Sequence, residues 1–230
     1  MKFIKPQDLK LYIPLKYLNY GSFGPYHLPL FGKMYFGRIQ EILKIFSNLK
    51  EKFTIVLDIG GGMGLFSLNF KLNFPNSQIS ILDKTIISEI KEIITTKRKF
   101  GVKEFIQGDI EKRTPYSDEN FDLIFALDIL EHVYDPSIAL DEILRILKKK
   151  GLLFISVPIE GWLLRLVRNI LGRVKNIEIN PHWKGKIKSE REFYSCLSLK
   201  KVKILLEKKY PFRTLPKVFS YDVFYLVQKL

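Results

Sequence analysis

Residues 53–64 read Phe-Thr-Ile-Val-Leu-Asp-Ile-Gly-Gly-Gly-Met-Gly. The apolar run Phe53–Ile59 is rich in β-branched residues and predicts a strand that is buried on both faces. A turn of the form G-x-G-x-G follows, and the next six residues have the spacing of a helix. Glycines allow positive φ and let a ligand approach the backbone, and the first N–H groups of a helix lack partners. The stretch therefore predicts a nucleotide-type site at Gly60, Gly62 and Gly64.

The ligand of this turn is not a dinucleotide by the usual fingerprint. Counting from Gly60, the sixth position is Leu65, so the G-x-G-x-x-G pattern fails. A phosphate-binding loop with Gly-Lys-Ser or Gly-Lys-Thr is absent as well. A tight turn without any ligand remains the alternative at this point.

The composition is that of a globular protein. Its 230 residues are 47% apolar and 27% charged, which suits one sizeable α/β domain. The single cysteine, Cys196, cannot form an internal disulfide, and no apolar stretch has the length of a signal or a membrane span. We therefore expect a cytoplasmic protein. His27, His132 and His182 lie far apart, so we expect no metal site.

Positive charge is concentrated in the last third of the chain. Residues 1–147 hold 19 Lys/Arg and 18 Asp/Glu, whereas residues 148–230 hold 19 and 6, a net charge of +13. This asymmetry indicates an anionic partner, either RNA or an anionic membrane surface, which would make the protein peripheral to that membrane. A solvated lysine-rich surface is the alternative.

Strand and helix patterns alternate along the chain, which predicts an α/β fold with a mostly parallel sheet and helices on both faces. The predicted strands after the first are Gln78–Leu82, Val102–Gln107, Phe121–Leu127 and Gly151–Val157. The predicted helices are Met34–Leu49, Ile86–Phe100 and the segment from Pro136 through Lys148. Ligands of such sheets bind beyond the carboxyl ends of the strands. Four acids lie at these ends, one per strand: Asp58, Asp83, Asp109 and Asp128.

Four motifs between residues 108 and 148 carry a specific resemblance. They are Gly108–Glu111, Pro115–Phe125, Leu127–Val133 and Glu142–Lys148. Together with the glycine turn, they resemble the small S-adenosylmethionine methyltransferases of the ubiquinone-biosynthesis and methyltransferase domain 11 type, over residues 53–158. The resemblance implies the Rossmann-like class I fold, with a seven-stranded sheet that ends in a C-terminal β-hairpin.

The resemblance also implies a set of site residues. The loop with Gly60, Gly62 and Gly64 would hold the methionine part of S-adenosylmethionine, with Asp58 near its ammonium group. The remaining cofactor contacts would come from Asp83 to the ribose diol, Asp109 and the Ile110 amide to adenine, and the Leu127 backbone to the ammonium group. Asp83 could instead cap a helix. If the acceptor must lose a proton, Asp128 and His132 are the candidate bases, although His132 could merely orient a loop.

The domain organisation is expected to be simple. Residues 1–50 form an aromatic segment and a lead-in helix packed on the core, and residues 51–230 form the methyltransferase domain, with a substrate-covering insertion at 158–197. In that insertion, Trp162–Lys175 has the pattern of a basic amphipathic helix. The candidate substrate contacts are Arg165, Arg168, Trp183 and Lys184. A helix over Leu197–Tyr210 and a hairpin formed by Phe212–Phe219 and Asp222–Gln228 complete the prediction.

The predicted function is methyl transfer to a small-molecule or lipidic acceptor. The sequence Leu127-Asp128-Ile129-Leu130 lacks the Asn/Asp-Pro-Pro-aromatic motif of base N-methylating enzymes, and Cys196 is misplaced for cytosine C5 chemistry. RNA methylation stays open because of the basic last third. A regulatory subunit that binds S-adenosylmethionine without transferring its methyl group is the alternative outside enzymes.

Overall fold

A computed structural model describes residues 1–4, 29–49, 51–62, 64–85, 101–160, 183, 185–211 and 220–230. The helices in this part are α1 (Pro29–Ser47), α2 (Leu65–Asn73), α3 (Pro136–Ile146) and α4 (Glu190–Ser198). The strands are β1 (Ile55–Ile59), β2 (Gln78–Asp83), β3 (Val102–Gln107), β4 (Phe121–Leu127), β5 (Leu147–Glu160), β6 (Val202–Pro211) and β7 (Ser220–Lys229).

The seven strands form one sheet in the order β3-β2-β1-β4-β5-β7-β6. β2 lies parallel to both β1 and β3, and β7 lies antiparallel to both β5 and β6. The predicted mostly parallel sheet with a C-terminal hairpin is confirmed. The chain divides into two compact units, which are described separately. The first holds Met1–Asp109 with Asn120–Phe125, and the second holds Ile110–Glu119 with Ala126–Leu230.

An aromatic cluster forms the core of the first unit. The ring of Phe125 contacts Phe46 of α1 at 5.0 Å between centroids, and Phe66 and Phe70 of α2 at 4.7 and 5.1 Å. α2 turns its apolar side to this cluster because phenylalanines four residues apart share one helix face. The helix that follows the glycine turn is thereby held by buried aromatic contacts.

Two hydrogen-bond sets fix the surroundings of β1 and α2. The Asp122 carboxylate accepts from the backbone N–H groups of Thr54 and Ile55, at 3.0 and 2.8 Å. In the second set, the Asn69 side chain of α2 accepts from the N–H of Ile4 at 2.9 Å. The first residues of the chain therefore pack on α2, while the predicted domain boundaries remain a prediction.

The second unit is built on β5, β7 and two amphipathic helices. Buried residues of α3 follow the helical period: Pro136, Ala139, Leu140, Ile143 and Ile146. Trp183 packs on Phe193 of α4 at 5.8 Å between centroids, and Phe193 packs on Tyr225 of β7 at 6.2 Å. These ring contacts connect Trp183, which precedes α4, to the sheet through Phe193.

Several predicted boundaries are corrected by the structure. The predicted helix Leu197–Tyr210 is wrong: α4 ends at Ser198, and β6 begins at Val202. Hence the C-terminal hairpin is formed by β6 and β7, and Ser220 belongs to β7 instead of to the turn. α3 stops at Ile146, two residues early, because β5 already begins at Leu147. α1 begins at Pro29, five residues before the predicted start.

Three predictions fall on residues outside the described ranges. They are the helix Ile86–Phe100, the amphipathic helix Trp162–Lys175 and the strand Phe212–Phe219. Arg165, Arg168 and Lys184 lie outside as well. All of these remain predictions.

Candidate functional site

The glycine turn after β1 has the backbone geometry that its sequence predicts. Gly60, Gly62 and Gly64 have φ values of 69°, 52° and 73°, in the left-handed region that favours glycine. Gly64 is the N-cap of α2, and its N–H donates to the Gly61 carbonyl at 2.8 Å. The turn thus brings the N-terminus of α2 next to the end of β1.

Gly61 has a separate reason to be glycine. A Cβ on this residue would lie 2.8 Å from Ile81 Cγ2 and 2.9 Å from Asp58 Oδ2. Both distances are shorter than real Cβ contacts, so the backbone of the turn stands directly against the Asp58 carboxylate. The sequence reasoning assigned no role to Gly61, although three consecutive glycines were a visible signal.

Asp58 is fully buried at the end of β1, with 1% of its surface exposed. The hydroxyl of Ser67 donates to Asp58 Oδ2 at 2.6 Å. Burial raises the pKa of Asp58 to about 7, since the Ser67 hydrogen bond offsets the loss of water only in part and the nearby charge of Asp83 adds to the rise. The structure therefore places an acid that titrates near neutral pH directly under the glycine turn.

Asp83, at the end of β2, joins the glycine turn through its side chain. Its Oδ2 accepts from the N–H of Gly62 at 2.9 Å, and its Oδ1 accepts from the N–H of Thr85 at 2.9 Å. Each carboxylate oxygen has two lone pairs, so both retain a position for another donor. Asp58, the glycine turn and Asp83 are thus brought together, as the sequence predicted.

Asp109 lies just after the neighbouring strand β3 and pairs with a residue that the sequence analysis missed. The ammonium of Lys84 lies 3.1 Å from Asp109 Oδ2. The carbonyl of Lys84 also accepts from the Gln107 side chain at 3.1 Å, so the chain after β2 is fastened to the end of β3. The position of Lys84, directly after Asp83, was the only sequence signal.

The candidate bases belong to the second unit. Asp128 has a φ of 50°, which is uncommon outside glycine and clusters at functional positions. Its N–H donates to the Ser156 carbonyl at 3.1 Å, and the buried hydroxyl of Ser156 donates to Asp128 Oδ1 at 2.7 Å. One bond from β5 therefore fixes the Asp128 carboxylate, and a second holds the backbone of the same residue. Ser156 was not predicted, because nothing in its local sequence distinguishes it from other strand residues.

His132 lies in the turn after Asp128, with 46% of its side chain exposed. Its Nε2 lies 3.9 Å from Oε1 of the buried Glu131. Of the other predicted residues of this unit, Ile110 is buried and Leu127 is the last residue of β4. Trp183 is buried against Phe193, so its predicted substrate contact stays a prediction. Within the described ranges, no three His, Cys, Asp or Glu side chains are grouped to hold a metal ion.

A comparison with known protein families identifies the class of this chain. Residues 50–208 match the profile of a family described as methyltransferase domain. The chain belongs to this family, and the predicted class is confirmed.

Individual relatives share about a third of their residues with this chain, over roughly half of its length. Residues of this chain are 34% identical to malonyl-acyl carrier protein O-methyltransferase 2 of Ilyobacter polytropus, over 50% of this chain and 43% of that protein. They are 28% identical to the ubiquinone biosynthesis O-methyltransferase of Histophilus somni, over 59% of this chain and 55% of that protein. The chain thus spans about half the length of these curated relatives.

A solved structure resembles most of the chain in its fold. A protein of Pyrococcus horikoshii superposes with a TM-score of 0.63 and 20% identity, covering 94% of this chain and 99% of that one. At this identity the match shows the fold alone. No helix in the described part of the chain is long and apolar enough to cross a membrane.

Proposed function

We propose that this protein is an S-adenosylmethionine-dependent methyltransferase acting on a small-molecule or lipidic acceptor. The observation that carries the proposal is the arrangement of two acids around one glycine turn. Asp58 lies buried against Gly61, and Asp83 accepts from the N–H of Gly62. This donor and acceptor set fits S-adenosylmethionine, since a buried carboxylate suits an ammonium group and a second carboxylate suits a ribose diol.

The chain's own residues would bind and orient the cofactor. Asp58 would face the methionyl ammonium, Asp83 would accept from the ribose hydroxyls, and Asp109 would accept from the adenine amino group. When bound, S-adenosylmethionine supplies a methyl group on a positively charged sulfur, which is an intrinsically reactive donor. Alignment of donor and acceptor then supplies much of the rate, up to about 7–11 kcal/mol for well-held reactants.

The second unit offers a base for acceptors that must lose a proton. The carboxylate of Asp128 is held by the Ser156 hydroxyl at 2.7 Å, and a fixed base is the more effective because its geometry needs no rearrangement. His132 is half exposed and is the second candidate.

A small or lipidic acceptor is supported by the names of the two relatives, which are O-methyltransferases of malonyl-acyl carrier protein and of ubiquinone biosynthesis. The residues after β4 support it too, because Leu127–Leu130 lacks the motif of base N-methylation. A cytoplasmic location is part of the same proposal, with contact to an anionic membrane through the basic last third.

The first test is calorimetric titration of the full chain with S-adenosylhomocysteine. We expect binding, and we expect Asp83→Ala to weaken it by about 1.5–3 kcal/mol, the range of hydrogen bonds to a charged group. Asp141→Ala is the matched control, since Asp141 is an exposed acid that pairs with Lys200. A folded sample that shows neither heat nor a thermal shift would disprove cofactor binding.

The second test identifies the acceptor class. Methyl-labelled S-adenosylmethionine is incubated with the protein and with separated lipid, metabolite and RNA fractions. Label in the lipid or metabolite fraction supports the proposal. Label in RNA would replace it with RNA methylation, and cofactor binding without label in any fraction would favour a regulatory subunit.

A further inference from the structure

The loop between β3 and β4 is fastened to helix α3 at both of its ends. This β3–β4 loop, residues 110–119, begins with Ile110, directly after Asp109. It contains neither helix nor strand, yet Ile110, Thr114 and Tyr116 are buried. All of its contacts described below lie within the second unit.

The C-terminal half of the loop is held by the last turn of α3. Glu142 Oε1 accepts from the N–H and from the hydroxyl of Thr114, each at 2.7 Å. Arg145 donates to Glu142 at 2.7 Å from Nε and at 2.6 Å from Nη2. The same guanidinium donates to the Tyr116 carbonyl at 3.0 Å and to Asp118 at 2.5 Å. Since it also donates to the Thr114 hydroxyl at 3.4 Å, this one arginine contacts three residues of the loop.

The ion pair between Glu142 and Arg145 makes a specific and rigid contact. Burial acts to raise the pKa of Glu142, but the hydrogen bonds from Arg145 and Thr114 outweigh it and lower the pKa to about 2. A buried ion pair loses the hydration of both charges and is weak as a source of stability alone. The planar guanidinium of Arg145, in contrast, fixes the geometry of the contact, because it binds both oxygens of the Glu142 carboxylate.

The N-terminal end of the loop is held by the start of the same helix. The N–H of Asp135 donates to Glu111 Oε1 at 2.7 Å, and the Asp135 side chain caps α3 by accepting from the N–H of Ser137 at 3.0 Å. At the far end, the N–H of Glu119 donates to the Arg145 carbonyl at 3.0 Å. The eleven residues of α3 span about 16 Å, so the helix sets the distance between the two ends of the loop.

We propose that Arg145 and Glu142 are positioning residues for the base of the cofactor: they hold the β3–β4 loop in the one conformation that presents the Ile110 amide to adenine. The inference rests on the proposed function, since it assumes that adenine accepts a hydrogen bond from the Ile110 amide. The Ile110 N–H can donate to N1 of adenine, whereas N1 of hypoxanthine carries a proton and cannot accept. A loop that is free to shift would lose this selectivity between the two bases. The consequence is a role in base recognition for a residue that touches no ligand.

The test compares two probes on the full chain by calorimetry: S-adenosylhomocysteine and S-inosylhomocysteine, in which a carbonyl replaces the amino group of adenine. We expect Arg145→Met to weaken the binding of S-adenosylhomocysteine about tenfold, which is the lower end of the loss seen when a residue that orients a metal ligand is removed. The affinity for S-inosylhomocysteine should change little, so the selectivity of the protein for adenine over hypoxanthine should fall. Arg145→Lys should restore part of the selectivity. Arg191→Met is the control, since Arg191 is an exposed arginine on α4.

A second variant keeps the test decisive if Arg145→Met fails to fold. Thr114→Val removes the hydroxyl bond to Glu142 and the 3.4 Å bond that the same hydroxyl accepts from Arg145, and it keeps the backbone bond to Glu142. It should reduce the same selectivity by a smaller factor. Unchanged selectivity in the folded variants, or an equal loss of both probes, overturns the inference and leaves a purely structural role. Absence of S-adenosylhomocysteine binding in the unchanged protein overturns the proposed function itself, and the inference with it.

Discussion

Ser67 of α2 donates a 2.6 Å hydrogen bond to Asp58 of β1, and both side chains are buried. Among the residues that the structure describes, this hydroxyl is the one hydrogen-bond donor to the Asp58 side chain. Burial therefore dominates, and it raises the pKa of Asp58 to about 7. Strand and helix on either side of the glycine turn are thus joined by a group that changes charge near neutral pH.

The free energy of unfolding should depend on Asp58 between about pH 4 and pH 7. In that range the folded protein keeps a proton that the unfolded chain has released, so stability falls as pH rises, by at most about 1.4 kcal/mol per pH unit. Asp58→Asn should remove this part of the slope. Urea denaturation of both proteins from pH 4 to pH 8 measures it, and parallel curves would contradict the assigned pKa.

Cofactor binding should release protons near pH 6. At that pH the Asp58 carboxyl of the free protein is largely protonated, and an ammonium group placed beside it favours the ionised form. Titrations with S-adenosylhomocysteine in buffers of different ionisation enthalpy give the number of protons released. We expect a fraction of one proton for the unchanged protein and none from this site in Asp58→Asn. Equal release by both would show that the ammonium group binds elsewhere.

Glu142 should make the protein sensitive to acid. Its pKa lies at about 2, below the ordinary 4.5, so its contribution to stability is present above pH 4.5 and is lost as pH falls towards 2. Glu142→Gln should cost about 1.5–3 kcal/mol at pH 7. The difference between the two proteins should shrink on acidification. A difference that stays constant between pH 7 and pH 3 would show that the charge of Glu142 is not involved.

Gly185 should tolerate no side chain. A Cβ there would lie 2.1 Å from the Tyr134 carbonyl oxygen and 2.3 Å from that of Val133, and backbone atoms cannot move aside cheaply. Gly185→Ala should also disturb the bond from the Lys186 N–H to the Tyr134 carbonyl, which measures 2.7 Å. We expect a loss of about 1–3 kcal/mol in chemical denaturation.

Lys188→Ala is the control for this substitution, because Lys188 is exposed in the same segment. Its effect should stay within about 0.5 kcal/mol. A Gly185→Ala protein as stable as this control would mean that the segment can separate from the loop around Tyr134 at no cost.

β1, β2 and β4 could be read from the sequence because each is a short run built around apolar, largely buried residues. β3 and β4 have the predicted bounds, and β2 begins at the predicted Gln78 and ends at Asp83, one residue beyond the predicted Leu82. Buried strands of this kind carry their own signal, since burial on both faces requires apolar side chains throughout.

The segment around Leu197–Tyr210 was mispredicted for a physical reason. Its apolar residues fit a helical spacing and also alternate at Val202, Ile204 and Leu206, and only pairing with β7 decides between the two. A local signal for the true helix existed. Ser189 followed by Glu192 is a capping box, and the Ser189 hydroxyl does accept from the Glu192 N–H.

The supporting residues of the site were beyond sequence reasoning. Ser67, Lys84 and Ser156 act on acids that lie 9, 25 and 28 positions away in the chain. No spacing rule relates such positions, because the contacts exist only after the strands have paired. The acids themselves could be predicted, since strand ends are visible in the sequence.

β6 is the outermost strand on its side of the sheet. Its exposed positions include Lys203, Lys208 and Lys209, with Leu205 as the exposed apolar exception. An open strand edge invites another chain to extend the sheet, and lysines along it oppose such growth by repulsion between like charges. The basic hairpin should therefore keep the protein from assembling into fibrils at low ionic strength, and added salt should weaken that protection.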